Sequence, residues 1–143
     1  MNSQALPLKW RVSVQRFLVR FDRLYGLHCA VLYGSLATGD YRADSDADLV
    51  LISSGVPEDF LQRLRMTSDL YERGALVEAL VYTPKEFHQM IEDMHVTALD
   101  ATTQGIPLVN PAGFEEFRSH TAALQSKGLR REKHAWVMDA PRE

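Results

Sequence analysis

The chain has 143 residues, enough for one domain around a single two-layer core. Its 45% hydrophobic and 24% charged residues are those of an ordinary globular protein. A net charge of −3 leaves no basic footprint for gripping long nucleic acid. No apolar stretch is long enough to span a bilayer and no signal-peptide core opens the chain, so a cytoplasmic protein is expected.

In chain order, Pro7 to Tyr25 has helical spacing: Trp10, Val14, Phe17, Leu18, Phe21, Leu24 and Tyr25 recur at three- and four-residue steps, and Gly26 is placed to cap the end. Residues 28–33 read as a first strand, and its Cys29, the single cysteine, as a buried structural thiol. Asp48 to Ile52 is a second strand, apolar enough after its first residue to be covered on both faces. Val56 to Arg73 is expected to be a helix, with Pro57 in its first turn and Phe60, Leu61, Leu64 and Tyr71 as its buried stripe. Ala75 to Tyr82 is a third strand interrupted by Glu78. A carboxylate buried there would cost several kcal/mol unless paired, so Glu78 either meets solvent at a sheet edge or joins an acidic site.

Thr83-Pro84-Lys85-Glu86 is a capping box with proline at the first helical position. A further helix is expected over His95 to Thr103. Ile106 to Val109 is then a short strand whose proline places it at a sheet edge. Asn110 and Pro111 start a last helix carrying Phe114, Phe117 and Leu124. From Lys127 the pattern fails. The charged run Arg130 to His134 and the apolar Trp136-Val137-Met138 read as a solvated tail, or as a segment docking onto a partner or a second copy of the chain, with Pro141 near the end.

The chemistry concentrates between Tyr33 and Val50. Gly34-Ser35 follows an apolar strand, where a glycine lets backbone approach an anion and the next N–H groups and the Ser35 hydroxyl can hold phosphate oxygens. Asp46 and Asp48, two apart, share one face of a strand, and two hard carboxylates suit Mg2+. Gly34 to Gly39 opens like a Walker loop, yet Asp40-Tyr41 stands where Lys-Ser/Thr is required; Leu36 excludes the dinucleotide fingerprint. The five histidines show no metal-ligand spacing and there is no G-x-S-x-G elbow, so neither zinc nor serine hydrolysis is expected.

Gly34-Ser35, the ten residues Leu36 to Ser45, and Asp46-Ala47-Asp48 together resemble the signature of nucleotidyltransferases of the DNA polymerase β superfamily. The run to Val50 looks like the minimal nucleotidyltransferases, many of which are antitoxin partners of small helical HEPN toxins. The likeness extends from Val31 to Thr83 and more loosely to Phe117, including a Gly105-x-x-Leu108 segment. It implies an α/β, polymerase-β-like fold: a short mixed sheet flanked by helices, built by residues 1–126, with 127–143 as a tail. It implies ATP or another nucleoside triphosphate on Gly34 and Ser35, with Arg42 or Lys85 as candidate charge partners for the phosphates. It further implies Asp46, Asp48 and Glu78 as metal-binding and catalytic acids, with AMP passed to a tyrosine of a HEPN toxin. Glu78 departs from the Asp more usual in the family, and the added methylene moves its oxygens by about one C–C bond. The rival expectation is a catalytically idle module of the same fold that neutralises its partner by covering it.

Overall fold

The structure is a computed structural model that describes residues 1–2 and 5–139; Pro141 lies outside the described residues. Its centre is a four-stranded mixed sheet made of β1 (Cys29–Tyr33), β2 (Ala47–Ile52), β3 (Val77–Tyr82) and β4 (Ile106–Val109), in the order β3-β2-β1-β4. β1 runs antiparallel to both β2 and β4, whereas β2 and β3 are parallel. The proline-containing strand is at an edge, as expected, where the missing Pro107 N–H breaks no ladder. β3 forms the opposite edge.

Alternation along the strands sends side chains to two separate cores. Ala30, Leu32, Leu49, Leu51, Ala79 and Val81 pack on one face against Trp10, Val14, Phe17, Leu18 and Phe21 of α1 (Leu8–Tyr25). Cys29, Val31, Val50 and Ile52 pack on the other against α4 (Pro84–Glu92), α5 (Val96–Gln104) and α6 (Pro111–Ser126). The two short elements α2 (Ser35–Thr38) and α3 (Phe60–Leu70) complete the helical set. Burial pushes the Cys29 thiol up to about 12, which makes it inert. The capping box at Thr83 forms in full, the Thr83 hydroxyl accepting from the Glu86 N–H and the Glu86 carboxylate from the Thr83 N–H.

Two expectations need correction. α3 is shorter than Val56 to Arg73; Asp59 caps it, and Pro57 lies outside. Its inward residues are Arg63 and Thr67, while Phe60, Leu61 and Leu64 are exposed. The reason is electrostatic. The Arg63 guanidinium, only 3% exposed, donates to the Pro57 carbonyl at 2.5 Å, the Val81 carbonyl at 3.2 Å and Glu86 at 2.6 Å, so burial leaves its charge paired. The segment after Lys127 is not irregular: β5 (Leu129–Arg131) pairs antiparallel with β6 (Trp136–Met138). This hairpin is held to its own domain by buried Leu129 and by the Trp136 indole N–H, which donates to Asp100 at 2.8 Å.

Candidate active site

The turn after β1 shows why glycine stands there. Gly34 has φ 74° and ψ −156°, a region essentially closed to residues with a Cβ. A Cβ at Gly34 would also lie 2.4 Å from Oδ2 of Asp48. The bend therefore rests directly on that carboxylate. Beyond it, the Ala37 and Thr38 amides bond to the Gly34 carbonyl, and among the described residues the N–H groups of Ser35 and Leu36 have no backbone acceptor.

Register brings the acids to one end of the sheet. Asp48 opposes Tyr33 across the antiparallel pair and Glu78 across the parallel pair, so its neighbours are the bend on one side and an acid on the other. Adjacent strands lie about 4.8 Å apart, and Asp48 and Glu78 project from the same face as Val50 and Ile52. The helices that cover Val50 and Ile52 leave this end open: Glu78 is exposed and Asp48 partly buried. Asp46, just before β2, is exposed. Asp48 has its pKa raised to about 6, first by burial, then by the charges of Glu78 and Asp46. The Tyr33 phenol is likewise pushed up, by burial and then by Asp48, Tyr82 and Glu78.

The loop carrying Asp46 is fixed from α1. The Trp10 indole N–H donates to the Ser45 carbonyl at 2.8 Å, Lys9 donates to the Ala43 carbonyl, and the Trp10 and Tyr41 rings meet edge to face at 5.3 Å. Ser45 Oγ accepts from the Arg42 N–H at 2.8 Å, closing the turn from within. Sequence reasoning counted Trp10 only as core. A buried indole N–H needs an acceptor, and that requirement was the available signal. Arg42 is exposed on this loop, four residues before Asp46. Lys85 is at the other end of β3: the strand runs about 13 Å from Glu78 to Tyr82 at 3.3 Å per residue, and Lys85 follows on α4.

The order of turn, loop and acid-bearing strand decides the family. Residues 14–101, more than half of the chain, match the model of the nucleotidyltransferase domain. This chain belongs to that family. Membership makes this chain a transferase, and the family suggests a nucleotide substrate and a divalent metal. Among solved structures, one from Sulfolobus solfataricus, provisionally assigned as a nucleotidyltransferase, superposes with a TM-score of 0.53 at 18% identity, covering 70% of this chain and 79% of its own. A toxin–antitoxin structure with AMP-PNP gives 0.51 at 14% identity over 88% of each chain. A tyrosine mutant of the toxin–antitoxin MntA-HpeT gives 0.50 at 14%, over 78% of this chain and 85% of that one. At these identities the likeness is one of fold. No curated protein matches the chain.

The residues can be tested against a metal. Among the described residues, no three His, Cys, Asp or Glu side chains converge as a ready-made cage. Mg2+ does not need one, since it keeps several waters and takes one or two carboxylates plus substrate phosphates. The acids at this end of the sheet offer carboxylate oxygen, and the Asp48 pKa is raised first by burial and then by the neighbouring charges of Glu78 and Asp46. Hard donors and neighbouring negative charge fit Mg2+. No helix among the described residues is long and apolar enough to cross a membrane.

Proposed function

We propose that this nucleotidyltransferase moves AMP from ATP to a hydroxyl, a tyrosine side chain, of a cognate HEPN toxin in the cytoplasm, and so acts as its antitoxin. The observation that supports the reading is the close approach of the Gly34 bend to the Asp48 carboxylate, which would let backbone N–H groups that hold phosphate lie beside an oxygen that holds a metal. Two likenesses of fold support the biological setting: a toxin–antitoxin structure with AMP-PNP, and a tyrosine mutant of the toxin–antitoxin MntA-HpeT. The open face around Glu78 suits an acceptor carried by a protein rather than a small molecule needing enclosure.

In this scheme the N–H groups of Ser35 and Leu36 and the Ser35 hydroxyl hold the β- and γ-phosphates, with Arg42 offsetting part of their charge. Asp46, Asp48 and Glu78 would hold Mg2+, which would neutralise charge developing on the triphosphate. The acceptor oxygen attacks the α-phosphorus in line; a new O–P bond forms and the bond to the bridging oxygen breaks. Pyrophosphate departs, and the hydroxyl proton passes to Glu78. Positioning and charge stabilisation supply most of the rate. Residues 1–126 form the catalytic unit.

The exposed position of Glu78 favours one second reading, an antitoxin that acts by binding alone. One experiment separates the two. With Mg2+ and α-labelled ATP, label should pass to the co-purifying partner, and Asp46→Asn and Asp48→Asn should each abolish transfer. If the double variant neutralises the partner as fully as wild type, binding alone is sufficient.

A further inference from the structure

β3 leaves one of its faces open. Val77, Ala79 and Val81 are buried on the α1 side of the sheet, whereas Glu78 is exposed and Leu80 and Tyr82 are only partly covered. The open face runs from Glu78 to a concavity of about 290 Å3, where β3 ends and α3 and α4 begin. Phe60 and Tyr82 stack there, with ring centroids 6.4 Å apart and planes 24° apart, and Met90 lies beside them.

Three carboxylates line the same concavity, those of Glu58, Glu86 and Asp93. The Arg63 guanidinium on this wall is already engaged by Glu86 and by the Pro57 and Val81 carbonyls. Glu58 and Asp93 are exposed and have no ion-pair partner among the described residues; Asp93 accepts from the neutral Gln89 amide at 3.1 Å. Stacked rings under unneutralised carboxylates are complementary to a long cationic side chain, whose methylenes cover the rings while its head meets the acids. The same charge repels a phosphate-bearing ligand. Backbone pairing is closed along this edge. The Ala79 N–H donates to the Tyr71 hydroxyl at 2.7 Å, and the Val81 carbonyl accepts from Arg63 at 3.2 Å, so recognition is left to side chains.

We propose that this concavity anchors the acceptor protein by seating one of its arginine or lysine side chains on Phe60 and Tyr82, between Glu58 and Asp93. The segment then runs back along the open face of β3 and brings its hydroxyl to Glu78. The inference rests on the reading of the chain as a nucleotidyltransferase that acts on a protein. From Tyr82 to Glu78 is about 13 Å, so cation and hydroxyl stand about four residues apart on an extended segment or about nine apart on a helix.

Binding and reaction are read separately. Calorimetry of the full chain with its purified co-purifying partner, without ATP, reads the anchor; label passed from α-labelled ATP with Mg2+ reads the reaction. Phe60→Ala and the double variant Glu58→Gln/Asp93→Asn should each weaken partner binding about 10-fold or more, with the circular dichroism of wild type. The KM for the partner should rise by the same factor, while kcat at saturating partner stays near that of wild type. Val19→Ala, on the exposed face of α1, should change neither. Neutralising one arginine or lysine of the partner to glutamine should reproduce the loss and add little when combined with Glu58→Gln/Asp93→Asn. Partner binding unchanged in the groove variants, equal loss in Val19→Ala, or no partner cation coupled to the two acids would overturn the proposal. So would self-association of the chain alone that Phe60→Ala abolishes, since a second copy would then be the occupant. Groove-dependent binding with no label transfer by wild type would uphold the anchor and refute the transfer reaction instead.

Discussion

Replacing Asp48 by Asn should stabilise the metal-free protein while removing its activity. The fold raises the Asp48 pKa from 3.8 to about 6 through burial, Glu78 and Asp46. An acid whose pKa rises on folding binds more protons folded than unfolded between those values, so stability falls as pH climbs through about 4 to 6 and the whole penalty is present above it. Two units correspond to about 3 kcal/mol at most; partial exposure and solvent screening reduce this to roughly 1–2 kcal/mol. For a chain of this size that is about 3–8 °C in Tm. Asparagine keeps the shape and drops the charge. Thermal melts in EDTA should therefore put Asp48→Asn above wild type at pH 8 and level with it at pH 4. Adding Mg2+ and a nonhydrolysable ATP analogue should raise the wild type alone. Equal or lower stability of the variant at pH 8, or a difference that does not change with pH, would refute the reasoning.

Gly34→Ala should lose about 1–3 kcal/mol and nearly all transfer, because the new Cβ meets the Asp48 carboxylate in a backbone region reserved for glycine; melting and label transfer check it. Trp10→Phe should keep most of the packing but free the Ser45 carbonyl. A stability loss of about 1 kcal/mol should accompany a rise in the Mg2+ needed for half-maximal rate. Arg63→Met should cost about 2–3 kcal/mol in denaturant unfolding, less than for a wholly buried pair because the abandoned Glu86 is half exposed.

The nucleotidyl-transfer signature was legible because it is local: a strand, a bend, ten residues and two acids lie on one continuous segment, although β2 begins at Ala47 and leaves Asp46 in the loop before it. The edge position of Pro107 and the Thr83 capping box were legible for the same reason. What escaped was set by contacts distant in sequence. Helical periodicity cannot tell that Arg63 finds three oxygens inside while Phe60, Leu61 and Leu64 turn out, because two of those oxygens belong to Val81 and Glu86. Nor does it show the Trp10 indole reaching Ser45, or residues 129–138 folding back as a hairpin onto Asp100. Lys85, a candidate charge partner for the phosphates, follows the end of β3 away from Glu78.

In the proposed reaction the Gly34–Ser35 bend and the acids Asp46, Asp48 and Glu78 together hold a metal–triphosphate. A crystal grown with Mn2+ and a nonhydrolysable ATP analogue tests it most directly, through the anomalous signal of the ion. The account predicts an Mn2+ peak ligated by Asp46 and Asp48, with triphosphate oxygens on the amides of Ser35 and Leu36. A nucleotide bound elsewhere, such as in the concavity of about 290 Å3 lined by Phe60, Arg63, Tyr82 and Met90, with no ion on the two aspartates, would contradict it.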